Sequence, residues 1–442
     1  MLMDAGKPLT LEEVIRSNLK PKALEASNLE QFYTDISAGR GDNPMKVLHR
    51  LFEDATENQQ ILFSGYTGCG KTTELNKLQK ELEADYLILN YSVQQELNMA
   101  TLNYIELFIT TMEKLFQLAQ DSKIPINETL LKSIFSWTEV KDLEKIKVFT
   151  RGIEVEAGLE TKIDLPYLLA FFGKMRASVK SNYDNKETIT QTIKHRLPEL
   201  VQHCNDMILE IKNHVIDHQK KKGLIIIVED LDKTPLEFAE KVFFENTPVL
   251  CSLETHIIYT LPISLVYHPK SNVLRNNFEI FDLPMVKVKT KEGENFEQGR
   301  DLLFKLVLKR VPEFLFEQKE LIYKFIDLSG GCIRDIFIML NKAANTALNR
   351  GVLKIGEQDF QSARFSLISG YRNTISGSSV SKYYEILENL YSNNEKQIEN
   401  PPEVLDLRHN LCILGYNGEN WVDLHPAVRV IIEERLAARA LK

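Results

Sequence analysis

The sequence predicts an α/β protein built on a parallel sheet, and three observations predict it. An apolar run at Gln60–Ser64 enters a Gly-rich loop and then a helical stretch over 72–83. A second strand-length run follows at 86–91, completing a strand–loop–helix–strand unit, the opening of a parallel sheet. A third run, Leu224–Val228, is apolar at every position, as a strand buried on both faces must be. Two further strands are expected at His256–Thr260, ended by Pro262, and at Phe278–Leu283, closed by Pro284.

The remaining segments read mostly as helix. Residues 1–55 are helical with turns at 39–44. Residues 97–222 carry helical periodicity, seen in Leu102, Ile105, Leu107 and Ile109 and again over 188–220. Alternation over Val148–Ile163, with a turn at Gly158, predicts a small β-hairpin inside that stretch. Helix returns over 295–365. The stretch 380–442 reads helix, turn, helix, two short strands and helix, with Asn417-Gly418 as a hairpin turn between Cys412–Tyr416 and Trp421–Leu424.

Composition narrows the functional classes. At 442 residues the chain suits two or three domains, and 43% hydrophobic with 26% charged residues is ordinary for a globular protein. A net charge of −8 provides no global basic field for nucleic acid or an anionic membrane, although a local basic face stays open. The N-terminus has no apolar signal segment, and no apolar run approaches bilayer length, so no membrane contact is expected. The five cysteines, at 69, 204, 251, 332 and 412, form no C-x-x-C pair. Neither a zinc site nor a disulfide framework is expected, and a reduced, cytoplasmic setting is the simplest reading. His214 and His218 share a helical face without a third ligand, and Lys220–Lys222 reads as a solvated helix end.

Two motifs carry chemistry. Gly65-Tyr66-Thr67-Gly68-Cys69-Gly70-Lys71-Thr72 fits G-x-x-x-x-G-K-[ST] in full, with a strand before it and a helix after it. Glycines let backbone N–H groups approach phosphates, and the helix presents its positive end to the anion. Gly65, Thr67, Gly68, Cys69, Gly70, Lys71, Thr72 and Thr73 are the expected nucleotide-binding residues. Lys71 would reach the β and γ phosphates, and the Thr72 hydroxyl would ligate Mg²⁺. The second motif is the strand end Val228-Glu229-Asp230-Leu231-Asp232. Acids at the carboxyl edge of a parallel strand lie beside bound phosphates. Position assigns Glu229 to the metal and Asp230 to the attacking water.

These residues resemble AAA+ ATPases of the origin-recognition type and the related STAND signalling ATPases, whose apolar strand is followed by Asp-Glu-x-Asp. Here the first two acids are exchanged, as Glu229-Asp230-Leu231-Asp232, which bears on hydrolysis more than on binding. The run also looks like the Asp-Asp-Leu-Asp of some bacterial STAND-like ATPases. By this resemblance Thr260 falls where the family has its sensor 1 residue, the alternative being an ordinary strand-end threonine. Arg275, in Leu274-Arg275-Asn276-Asn277-Phe278, falls where arginine fingers occur, the alternative being a plain surface arginine. Arg334, in Leu328-Ser329-Gly330-Gly331-Cys332-Ile333-Arg334, resembles sensor 2, the alternative being a helix-start arginine paired with Asp335 or Glu357.

The resemblance implies a P-loop NTPase parallel sheet with a helical lid, a helical insertion and a C-terminal winged-helix domain. The expected divisions are an N-terminal helical segment at 1–30, an ATPase core at 31–290 with the insertion at 97–222, a lid at 291–370 and a winged helix at 378–442. Trp421-Val422-Asp423-Leu424-His425-Pro426 is similar to winged-helix ends of bacterial STAND-like proteins, with His425 packing at a helix start. The second helix of that unit sets Glu403 and Asp406 against Arg408 and His409, a poor footprint for DNA phosphates. The implied activity is an ATP- and Mg²⁺-dependent regulatory switch acting through an effector or regulatory protein, as a homo-oligomer or hetero-complex. By analogy such chains serve bacterial anti-phage defence. A DNA-loading ATPase and a nucleotide-stabilised scaffold with little turnover are the alternatives.

Overall fold

Five strands that are apolar along most of their length form one parallel sheet: β1 (Gln60–Gly65), β2 (Tyr86–Ser92), β3 (Gly223–Glu229), β4 (His256–Pro262) and β5 (Glu279–Leu283). Their order is β2-β3-β4-β1-β5, and every neighbouring pair is parallel. The computed structural model describes residues 10–138, 165–181, 183–376, 380–392, 396–416 and 421–441. The α/β parallel-sheet class expected from the sequence is the one found. β4 runs two residues beyond Thr260, and its last residue, Pro262, stands opposite Gly65, where a missing N–H disturbs little.

The alternation of β3 explains why it is apolar throughout. Ile225 and Ile227 face one core, shared with Leu75 and Leu78 of the helix Lys71–Leu82. Leu224, Ile226 and Val228 face a second core, shared with the helices between β2 and β3. Those helices are Tyr104–Asp121, Glu128–Thr138, Leu165–Ser181, Tyr183–Lys194 and Leu197–Gln219. Leu102, Ile105, Leu107 and Ile109 are all buried there, as their periodicity predicts. Ion pairs fasten this bundle to the turn after β2, where Arg176 and Lys114 each lie 2.9 Å from Glu96, and within the bundle Lys186 pairs with the buried Glu106 at 2.5 Å. The hairpin expected over 148–163 lies outside the described residues.

After β5 the chain forms the helices Glu297–Leu308, Glu320–Ser329, Ile333–Asn349 and Glu357–Ile375. Val380–Ser392 and Pro402–His409 follow, then the antiparallel pair β6 (Ile413–Tyr416) and β7 (Trp421–Leu424), then Pro426–Ala440. The expected turn at Asn417-Gly418 is outside the described residues. Leu407, Ile413, Leu414 and Val428 of this last stretch belong to the same core as Phe63 and Leu75. The junction is close. A Cβ on Gly330, which has φ +60°, would meet Pro426 Cδ at 2.7 Å and Leu414 Cδ1 at 2.9 Å. The Tyr416 hydroxyl donates to Gly330 O at 2.8 Å. His425 is fully buried, accepts from Ala427 N at its Nδ1, and stacks on Tyr371 with ring centroids 4.2 Å apart. Among the described residues no helix is long and apolar enough to cross a membrane.

Candidate functional site

The Gly-rich loop leaves β1 and turns directly into the helix Lys71–Leu82. Gly70 caps that helix at φ +109° with no side-chain hydrogen bond, so no side chain caps the first-turn N–H groups. Gly68 has φ +81°, and a Cβ there would lie 2.7 Å from Arg334 Cβ and 2.9 Å from Cys332 Sγ. Only glycine allows the loop to lie so close to the start of the helix Ile333–Asn349. Arg334 N donates to Gly68 O at 3.3 Å, joining the two segments.

Lys71 is buried at 6% exposure. Its ammonium pairs with Asp232 Oδ2 at 2.9 Å and donates to Gly65 O at 2.7 Å and Tyr66 O at 3.1 Å. Burial alone would lower the Lys71 pKa, but the Asp232 carboxylate raises it above the usual lysine range. Burial would likewise raise Asp232, yet Lys71 holds it below the usual carboxylate range. The third acid of the motif, unassigned in the sequence reading, is thus the lysine's partner.

Glu229 ends β3 with one oxygen accepting from Asn90 Nδ2 at 2.9 Å and the other buried beside the Thr72 hydroxyl, with no well-formed hydrogen bond among the described residues. Burial pushes it up to about 7, against the pull of Asn90 and Thr72. Asp230 takes a left-handed backbone, φ +69°, tolerable for Asp. Its Oδ2 accepts from Ser92 Oγ, and Lys233 Nζ lies 2.5 Å from its Oδ1.

A cavity of about 620 Å³ opens at this carboxyl edge of the sheet. Thr67, Gly68, Gly70, Lys71, Thr72 and Thr73 line it, with Glu229, Asp230, Asp232 and Arg334. Gly65 and Cys69, expected among the nucleotide contacts, do not line it. Their carbonyls turn to the back of the loop, where Gly65 O serves Lys71 and Cys69 O accepts from Arg40 at 2.6 Å.

Arg334 lines the cavity. The alternative pairings are taken by others: Asp335 accepts from Tyr371 and faces His425, and Glu357 pairs with Lys324. The Arg334 charge is felt by Lys71, whose pKa it opposes. Thr260 departs from the sensor 1 expectation. Its hydroxyl is buried, accepts from Leu231 N at 3.0 Å and lies 3.4 Å from Val228 O, so it braces the acidic turn from beneath and does not line the cavity. Arg275 ends the short helix Ser271–Arg275, exposed and outside the lining of the cavity.

The cavity continues beyond the motifs. Leu24, Phe32, Ile36, Leu306 and Phe337 give it an apolar side, on which Lys22, Glu25 and Arg310 also lie. Sequence reasoning missed these residues, which come from four separated segments without a local pattern. It also missed the contact of the C-terminal stretch with the loop. Arg408, 3% exposed, donates to the Tyr66 hydroxyl at 3.0 Å and lies over Tyr267 at 4.2 Å. His409 comes close enough for its titration to feel Asp232 and Lys71, with burial holding its imidazole below the usual range.

The residues fit a divalent cation held together with phosphate. This second Glu229 oxygen and the neighbouring Thr72 hydroxyl are hard oxygen donors. Among the described residues no three His, Cys, Asp or Glu side chains gather to hold a metal alone. A Mg²⁺ here would depend on phosphate and water for its other ligands, as that ion commonly does.

No family model and no curated protein matches the sequence. Solved structures are similar across nearly the whole chain. Cdc6p from Pyrobaculum aerophilum aligns with 11% identity over 98% of this chain and 100% of its own, with a TM-score of 0.39. A Walker-type ATPase of Pyrococcus abyssi aligns with 12% identity over 95% and 99%, at 0.44. The ORC2 protein of Aeropyrum pernix, solved in ADPNP–ADP complexes, aligns with 11% identity over 97% and 98%, at 0.37.

Proposed function

We propose that this chain is an ATP-binding and ATP-hydrolysing AAA+/STAND-type switch that acts through partner proteins. The observation that carries this reading is the gathering of Lys71, Thr72, Glu229, Asp230 and Arg334, from three segments, around one cavity at the carboxyl edge of the sheet. In this reading Lys71 holds the β and γ phosphates, and Thr72 and Glu229 hold Mg²⁺, which would neutralise charge on the phosphates. Asp230 orients or deprotonates the attacking water, and Arg334 senses the γ-phosphate.

A nucleotide moves an equilibrium only through contacts that differ between two states. Here an entering phosphate competes with Asp232, Gly65 O and Tyr66 O for one ammonium. Tyr66 is also the residue that Arg408 holds. Rearrangement of the loop would therefore reach the C-terminal stretch, read as a winged helix, through the Tyr66 hydroxyl. That stretch suits contact with the core or a partner protein better than DNA, because Arg408 and His409 turn inward to the loop. Arg275 is free to act on a neighbouring subunit. A role in defence is the family-level analogy for such switches.

ATP turnover by the full chain, measured across protein concentrations with Lys71→Ala and Asp230→Asn, tests the proposal. The expected result is turnover lost in both variants and rising per molecule with concentration. Binding of ATP without turnover above either variant would leave a nucleotide-stabilised scaffold instead.

A further inference from the structure

The apolar side of the cavity holds a cation with few polar partners among the described residues. Arg310, just past the helix Glu297–Leu308, is nine-tenths buried and lines the cavity with Phe32, Leu306 and Phe337. Its backbone is fixed, since Arg310 O accepts from Asn18 Nδ2 at 2.8 Å. Its guanidinium lies 4.2 Å from the Phe337 ring centroid and 5.9 Å from that of Phe32. Nη1 finds only Asn18 O, at 3.5 Å, the outer limit of a hydrogen bond. Nε is buried with no acceptor. Among the described residues no carboxylate pairs with it, and burial pushes the group down to about 10.

Burying a cation without an anion opposes folding, and a ring face offsets only part of that. A guanidinium so placed offers a planar fork of N–H donors and a face that stacks on aromatic rings. Phosphate is served elsewhere in the cavity, by Lys71, the loop and Arg334. What remains for the Arg310 side is a flat, apolar group carrying acceptors in its plane, which describes a nucleobase. A purine meets this with ring nitrogens set in an aromatic system.

We propose that Arg310 reads the base of the bound nucleotide by donating to a ring nitrogen of a purine. This rests on the cavity being a nucleotide site, and the test separates the two. Titration calorimetry of the full chain would use ATP, inorganic tripolyphosphate, and the ATP analogues lacking the 1-, 3- or 7-nitrogen. Arg310→Met should weaken ATP about tenfold, the scale of one hydrogen bond from a charged donor, and leave tripolyphosphate unchanged. One deaza analogue should bind the wild-type chain about tenfold more weakly than ATP and bind the variant as ATP does. Unchanged tripolyphosphate binding also certifies the variant's fold. If Arg310→Met does not fold, Arg310→Lys, which keeps the charge and loses the fork, carries the same comparison. Equal losses for ATP and tripolyphosphate, unaltered ATP affinity, or no discrimination among the deaza analogues would each overturn the assignment. A wild-type chain that binds neither ATP nor tripolyphosphate would overturn the nucleotide reading itself.

Discussion

The two sides of the cavity are built in opposite ways. On the phosphate side the cation is satisfied: Lys71 has a carboxylate and two carbonyls within 3.1 Å. On the base side Arg310 has one marginal acceptor and two aromatic rings. The Lys71 side comes largely from one loop and one strand end, and under the proposed function that follows from phosphate needing consecutive N–H groups and a helix start. The base side comes from distant segments, because an apolar slot can be assembled from any side chains that meet. An anion arriving on the first side must displace existing contacts, whereas a base arriving on the second meets a donor that has almost none. Binding energy can then be spent on rearranging the loop, which is what a switch requires.

The largest expected effect breaks the satisfied side. Lys71→Ala leaves Asp232 buried and unpaired, at a cost of about 3–5 kcal/mol in denaturant unfolding. The double variant Lys71→Ala/Asp232→Ala should recover most of that stability without recovering ATP binding. A double variant as unstable as the single one would mean that Asp232 is not the lysine's partner.

Behind the loop, burial pushes Asp282 up to about 6, and its Oδ1 has no partner. Its folded pKa exceeds the ordinary value of 3.8, so its cost to stability is absent below pH ~4 and complete above pH ~6. That cost is about 3 kcal/mol. Asp282→Asn should therefore be more stable than the wild type at pH 7.5, with the gap closing by pH 4. A gap independent of pH would show that the carboxylate is not strained in this way.

Arg408→Met sharpens the link to the C-terminal stretch. Loss of the Tyr66 hydrogen bond and of the contact over Tyr267 should cost about 2 kcal/mol in unfolding measurements. Amide exchange over 402–416 should quicken with it. The smallest effect on stability belongs to Arg334→Ala, below about 0.5 kcal/mol, since the side chain is partly exposed and loses no ion pair among the described residues. Yet ATP affinity should fall about tenfold in the same variant, a separation of binding from stability that calorimetry would reveal.

The sheet and the phosphate side were legible because their physics is local. Leu224–Val228 are apolar at every position and lie buried in β3, and Lys71 and Thr72 follow the Gly-rich loop directly and line the cavity. Thr260 was misplaced because position along a strand does not say which way a side chain points. Its hydroxyl serves the Leu231 N–H instead. Asp232 was read as motif and not as partner, since the fold alone brings it to Lys71. Arg310, Phe337 and Arg408 carry no local signature at all. Arg408 looked like part of a weak DNA footprint, and burial against Tyr66 gives it a different use.

The most direct test of the switch is amide hydrogen exchange over residues 402–416, measured with and without ATP and Mg²⁺, in the wild type and in Lys71→Ala. The account predicts that ATP quickens exchange there in the wild type, as the loop releases Arg408, and changes nothing in the variant. Saturating ATP that protects the Gly-rich loop while exchange over 402–416 stays the same would contradict it, leaving a nucleotide site uncoupled from the C-terminal stretch.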